Sequence, residues 1–307
     1  MKSLTRVFPR TFQATAEDLP DPNVLPVDDG YFVYATNTPG LNVPVVFSSD
    51  FGTFTLLGDA MPVLPRWVSR GFTWAPEVVK IGPRYILYFT ARLRRSGRQV
   101  IGVAVSDVPQ GPFVAADQPI VTMLESGGAI DPNILMASDG RRYLYWKNDG
   151  NAVGKMTHLW GSALSDDGLN LVGAPTALLS ATKPWERNLV EAPQVIEEGG
   201  IFHLLYSAAD FGNETYAVGH ASGPSPLGNF EKKRDAPILA SHGRIAGPGH
   251  SHAFRTASGD WQLAYHAWEA GSCGYPHGRR ALHVAPLRVQ GTSVNVVLPE
   301  VLAQASD

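Results

Sequence analysis

Two acidic residues of this chain open the same phrase. Asp21 begins "DPNVL" and Asp131 begins "DPNIL", 110 residues further on. A third acid, Glu191 in "VEAPQV", stands two residues before a proline in a similar stretch. A single Asp-Pro is ordinarily a turn starter. Three carboxylates gathered in one place are another matter. They repel one another and lose hydration, so at least one must hold its proton to higher pH than usual. Glycoside hydrolysis has a use for such a set: one protonated acid for the leaving oxygen and one carboxylate to activate water or attack carbon. A third carboxylate can orient the acid and hold its proton on. Clustered carboxylates can otherwise bind Ca²⁺.

Whether the acids meet depends on the elements that carry them. After each Asp-Pro-Asn comes a turn with Asp-Gly and then an aromatic-rich strand, "DDGYFVYATN" and "SDGRRYLYWKND". The same shape recurs in "WAPEVVKIGPRYILYFTAR" and "VEAPQVIEEGGIFHLLYSA", and in a more diverged form in "GHSHAFRTASGDWQLAYHAW". Pro22, Pro76, Pro132 and Pro193 are spaced by 54, 56 and 61 residues, and His252 falls 59 further on. A tyrosine follows 12 or 13 residues after each anchor: Tyr34, Tyr88, Tyr145, Tyr206 and Tyr265. Apolar runs are short and β-rich, with poor helical periodicity. Five such copies predict an all-β, five-bladed β-propeller, a single domain over residues 1–307 with blades starting near 21, 75, 131, 191 and 250. A β-sandwich is the alternative, and it does not account for a count of five. In a propeller, equivalent positions converge on the axis. The residue before each proline, or one further back, is Asp21, Trp74, Asp131 and Glu191, with His250 in the fifth copy.

The net charge of −3 with 17% charged residues points to neither nucleic acid nor an anionic membrane as partner. The one basic cluster, "RLRRSGR", reads as a solvated hairpin tip. Gly (31) and Pro (24) are scattered, as many turns require. A lone cysteine, Cys273, allows no intrachain disulfide. The N-terminus has no apolar signal region and no run approaches a membrane span, so the expected location is the cytoplasm, or outside the cell if a leader was removed.

At these residues the chain resembles glycoside hydrolase family 43, a group of five-bladed propeller enzymes. "DPNV", "WAPEV", "IDPNIL", "VEAPQV" and "GPGHSHAF…YHAW" carry the resemblance in that order, over about residues 19–289. The resemblance implies an inverting glycosidase acting on arabinose- or xylose-containing saccharides. It implies Asp21 as general base, Asp131 as the residue that tunes the proton donor, and Glu191 as general acid. For inversion, the base and acid carboxylates should stand roughly 6.5–9.5 Å apart. Trp74 matches an aromatic of the sugar pocket, and Arg280 a late arginine that contacts substrate, with Arg279 beside it leaving the register open. His250 matches an axial histidine that in many arabinan-cleaving members holds a hydrated metal, often Ca²⁺; a hydrogen-bonded channel residue fits as well. No cofactor is required for the chemistry itself.

Other residues read as structural. Glu77, Trp146, His266 and Trp268 are expected to pack, and "WERN" (185–188) lines the aglycone side or is simply a loop. His250 and His252, two apart in a strand, should face opposite ways and not clamp a metal together. The activity expected is α-L-arabinofuranosidase or exo-arabinanase, with β-xylosidase or endo-arabinanase as alternatives; larger β-xylosidases of the family carry a C-terminal β-sandwich that this sequence does not show. The sucrose- and fructan-cleaving propellers rank lower, because "LPDPN" lacks their Trp-x-Asn-Asp-Pro pattern. A non-catalytic sugar-binding propeller would not need three acids.

Overall fold

The turn signals divide the chain into short antiparallel strands, each too narrow to bury its apolar faces alone. The structure is a computed structural model that describes residues 12–298. It shows the five-bladed β-propeller expected from the repeat. Blade I comprises β2 (Asn23–Val27), β3 (Gly30–Tyr34), β4 (Pro44–Ser48) and β5 (Thr55–Asp59). Blade II comprises β6 (Val68–Ile81), β7 (Arg84–Leu93), β8 (Gln99–Ser106) and β9 (Val114–Ala115). Blade III comprises β10 (Ala129–Met136), β11 (Arg142–Asn148), β12 (His158–Leu164) and β13 (Leu171–Ser180). Blade IV has three strands, β14 (Val190–Glu198), β15 (Ile201–Ala208) and β16 (Ala217–Gly223). Blade V comprises β17 (Ile245–Arg255), β18 (Trp261–Glu269) and β19 (Ala281–Gln290).

The two ends of the described chain complete blade V. β1 (Phe12–Asp18) runs antiparallel to β19 around Ala281–Val284, and β20 (Ser293–Val296) pairs with β19 over Leu287–Gln290. Pairing the first strand with the last blade joins the ring, and β1 and β20 share the outer edge of β19. The repeat did not reveal this closure, because β1 lies before the first Asp-Pro-Asn and resembles no other copy.

The core lies between blades. Five apolar clusters fill the five blade-to-blade interfaces, the number a closed ring of five demands. Tyr34, Tyr88 and Tyr145 are buried in three of them, each facing the following blade. Their hydroxyls donate across the interface, to the carbonyls of Pro109 (2.5 Å), Gly168 (2.7 Å) and Pro226 (2.9 Å). Small residues make room beside such rings: a Cβ on Gly219 would stand 2.3 Å from the ring of Tyr206, its cross-strand partner.

The register corrects part of the repeat. Asn23, Glu77, Asn133, Gln194 and His252 pair with Tyr34, Tyr88, Tyr145, Leu205 and Ala264. Tyr206 and Tyr265 are therefore one residue out of step with the other three. They face back toward the preceding blade, because one step along a strand reverses the side chain.

Candidate active site

Each inner strand carries the same irregularity. Asp21, Ala75, Asp131, Ala192 and His250 all have positive φ, between 44° and 58°. The pairing of β6, β10, β14 and β17 shifts at this point. Left-handed backbone is disfavoured for these residue types by roughly 1–2 kcal/mol each, so the surroundings must enforce it. A bulge also takes a backbone N–H out of its ladder. Four of the five N–H groups find a side chain two residues past the tyrosine register, on the preceding blade. Ala75 donates to Thr36 Oγ1 (2.8 Å), Asp131 to Thr90 Oγ1 (3.0 Å), His250 to Ser207 Oγ (2.8 Å) and Asp21 to His266 Nδ1 (3.0 Å). The fifth, Ala192, donates to Asp131 Oδ2 at 2.9 Å.

The bulge sorts the candidates into two positions. Asp21, Asp131 and His250 occupy the bulge itself, whereas Trp74 and Glu191 stand one residue before it. Half-buried Trp74 thus takes, in blade II, the register position of Glu191 in blade IV, and its ring meets Phe72 edge-on at 6.2 Å. The local bulge also overturns the strand-alternation expectation for the two histidines. His250 and His252 both line the axial channel, since positive φ at His250 breaks the alternation.

Asp21 is buried and surrounded by donors. Its Oδ1 lies 3.1 Å from Arg280 Nη1 and 3.3 Å from His250 Nδ1, and its Oδ2 accepts from the Thr36 hydroxyl at 2.5 Å. Burial pushes its carboxyl up, but Arg280 and His250 outweigh that and hold it well below the usual range. His266, expected to be packing, is a site residue: it caps Asp21 and stacks on Tyr216 at 5.9 Å. Burial pulls His266 down to about 4, so it is neutral at pH 7 and its 3.3 Å approach to Asp21 Oδ1 is not an ion pair.

Asp131 has the opposite environment. Burial raises it to about 6, and the nearby charge of Glu191 adds to the rise against His250 and Lys147. Glu191 is clamped on both oxygens: Lys147 Nζ is 3.0 Å from Oε2, and the Tyr216 hydroxyl donates to Oε1 at 2.8 Å. Lys147 is 1% exposed. Burial opposes its charge, but Glu191, Asp131 and Asp149 outweigh it and leave the ammonium above its ordinary value.

Arg280 settles the arginine register. It is buried and bonded to Asp21, while Arg279 is exposed and stands 3.9 Å from Glu17. The Arg280 guanidinium sits among Phe211, Tyr275 and Trp268 at 5.3–5.9 Å, and its Nε donates to the Tyr275 hydroxyl. Trp146 and Trp268 are buried packing residues, as expected. "WERN" is a loop anchor: Trp185 stacks on Tyr206, and fully buried Glu186 binds Lys232, the Tyr206 hydroxyl and two backbone N–H groups. Glu77 is structural too, accepting from Asn23 (2.6 Å) and Asn133 (3.0 Å) across the channel.

The residues present do not form a calcium cage. Calcium takes six to eight oxygen ligands, and no group of three or more His, Cys, Asp or Glu side chains is arranged to hold a metal among the described residues. A hollow of about 860 Å³, walled by inner-strand residues such as Val24, Val78, Ile134, Val195 and Ala253, is lined by none of the three acids. Chemistry, not size, identifies the site.

The sequence profile of "Glycosyl hydrolases family 43" matches residues 14–290. The chain is 26% identical over 268 residues to the β-D-galactofuranosidase xynD of Aspergillus niger, covering 80% of this chain and 73% of the relative. It is 24% identical over 282 residues to the extracellular endo-α-(1->5)-L-arabinanase 1 of Bacillus subtilis, covering 86% and 84%. A crystal structure of a thermostable family-43 glycoside hydrolase superposes with a TM-score of 0.82 at 25% identity, over 96% of each chain.

Proposed function

The chain belongs to glycosyl hydrolases family 43, and from that premise we propose an inverting hydrolase that removes terminal pentosides, acting as an α-L-arabinofuranosidase or exo-arabinanase on arabinose- or xylose-containing oligosaccharides. The observation that carries the reading is the unequal surroundings of like groups. Asp21 is held ionised by Arg280 and His250, while Asp131, beside Glu191, is pushed up to about 6. Separate environments for neighbouring carboxylates are what acid–base catalysis requires.

In the proposed step, ionised Asp21 accepts a proton from water as the water oxygen bonds to the anomeric carbon. The carbon–oxygen bond to the aglycone breaks on the opposite face, and Glu191 gives its proton to the departing oxygen. Asp131 holds the Ala192 N–H next to Glu191 and so orients the strand that carries the acid. Trp74 and Arg280 are the proposed sugar contacts. A water-bridged ion at His250 is not needed for any of these events.

The test is a screen of nitrophenyl α-L-arabinofuranoside, β-D-xyloside and β-D-galactofuranoside together with linear arabinan, the galactofuranoside being included because of the Aspergillus relative. Proton NMR of the first product then reads the anomer. Net retention would overturn the inverting assignment, and turnover of none of these would remove the pentosidase reading. Release of internal fragments from arabinan would favour the endo-acting alternative.

A further inference from the structure

Lys147 breaks a rule that the rest of the ring obeys. In register it is equivalent to Thr36, Thr90, Ser207 and His266. Those four accept the bulge N–H of the next blade. An ammonium has three donors and no acceptor, so Lys147 cannot perform that task. Asp131 performs it instead, taking the Ala192 N–H. The lysine is therefore free of the structural duty of its position, yet it is almost completely buried and directed at Glu191. Burying an ammonium is costly unless it is paired, and a threonine there would keep the ring's pattern without that cost.

We infer that Lys147 is a positioning residue for the acid: it fixes the Glu191 carboxyl and stabilises the carboxylate formed as Glu191 hands its proton to the glycosidic oxygen. The inference rests on the assignment of Glu191 as general acid. Lys147 Nζ holds Oε2 and the Tyr216 hydroxyl holds Oε1, so the plane of the carboxyl is set from two blades. A fixed cation beside the donor stabilises the charge that develops on proton transfer, without reorganisation at that moment. Asp131 and Asp149 are the other carboxylates whose charges act on Lys147, and both favour its ammonium form.

The experiment compares Lys147→Gln, Lys147→Arg and Glu191→Gln on two substrates with one sugar, an aryl glycoside with a good leaving group and an oligosaccharide with a poor one. A good leaving group needs little protonation. The expected result is that Lys147→Gln loses at least about tenfold more kcat on the oligosaccharide than on the aryl glycoside. KM should change little, and Lys147→Arg should restore most of the rate. Equal losses on both substrates, or no loss, overturn the inference. A Glu191→Gln variant without leaving-group dependence would instead remove the acid assignment itself, so the two failures are distinct. If Lys147→Gln does not fold, the Lys147→Gln/Glu191→Gln double variant, which removes both members of the ion pair, is compared with Glu191→Gln alone. Its oligosaccharide kcat should equal that of Glu191→Gln alone, and a further loss overturns the inference.

Discussion

Arg280 Nη1 lies 3.1 Å from Asp21 Oδ1, joining residues 259 positions apart. The contact spans the seam where the first and last parts of the described chain meet, so closing the propeller and charging the proposed base are one event. Arg280 is foremost among the groups that lower the Asp21 carboxyl. Asp21 must be ionised to act as a base, so the acid limb of the kcat/KM profile should lie at low pH. In Arg280→Gln that limb should move to higher pH by about one unit or more. An unmoved limb would show that Arg280 does not set the charge of the base.

Asp21→Asn should abolish base catalysis whatever the leaving group. We expect kcat to fall by roughly 10²–10⁴ on aryl glycosides and oligosaccharides alike. Glu191→Gln should spare the aryl substrate relative to the oligosaccharide. Parallel steady-state assays on the two substrates check the contrast, and matching profiles for the two variants would contradict distinct roles.

Asp131 makes stability depend on pH. Its folded carboxyl titrates at about 6, above an unfolded value of about 3.9. The folded state therefore binds the extra proton in that window, and stability falls as pH rises from about 4 through 6. Asp131→Asn keeps an acceptor for the Ala192 N–H and removes the charge. It should be more stable than the parent by about 2–3 kcal/mol at pH 8, with the gap closing near pH 4. Thermal melts across that range read the effect, and a pH-independent difference would contradict it.

Gly249 has a packing reason next to the acid. A Cβ there would stand 2.0 Å from the Tyr216 ring, whose hydroxyl holds Glu191. Gly249→Ala must move that ring. The expected cost is on the order of 1–3 kcal/mol in stability and a 10–100-fold loss of kcat from a displaced acid. Tyr216→Phe, which removes the hydroxyl and keeps the ring, should lose kcat with a much smaller change in melting temperature. Unchanged kcat in both variants would sever Tyr216 from the function of Glu191.

The repeat at Asp21, Asp131 and Glu191 was enough to determine the five blades and the meeting of the acids, because propeller symmetry converts equal spacing into equal distance from one axis. Turn residues and short β-rich runs are local signals, and they are written in the sequence. Tertiary structure decided what each acid faces. His266 looked like core because nothing along β18 marks its neighbour as Asp21, on the far side of the ring closure. Nothing along β11 singles out Lys147, because its partner Glu191 belongs to the next blade. The pairing of Tyr206 and Tyr265 slipped by one, since counting along the chain does not reveal how many residues each hairpin spends in its turn. Local propensity sets which residues form a strand, whereas burial and the charges on neighbouring blades set the protonation of a carboxylate. Those charges come together only when the ring closes.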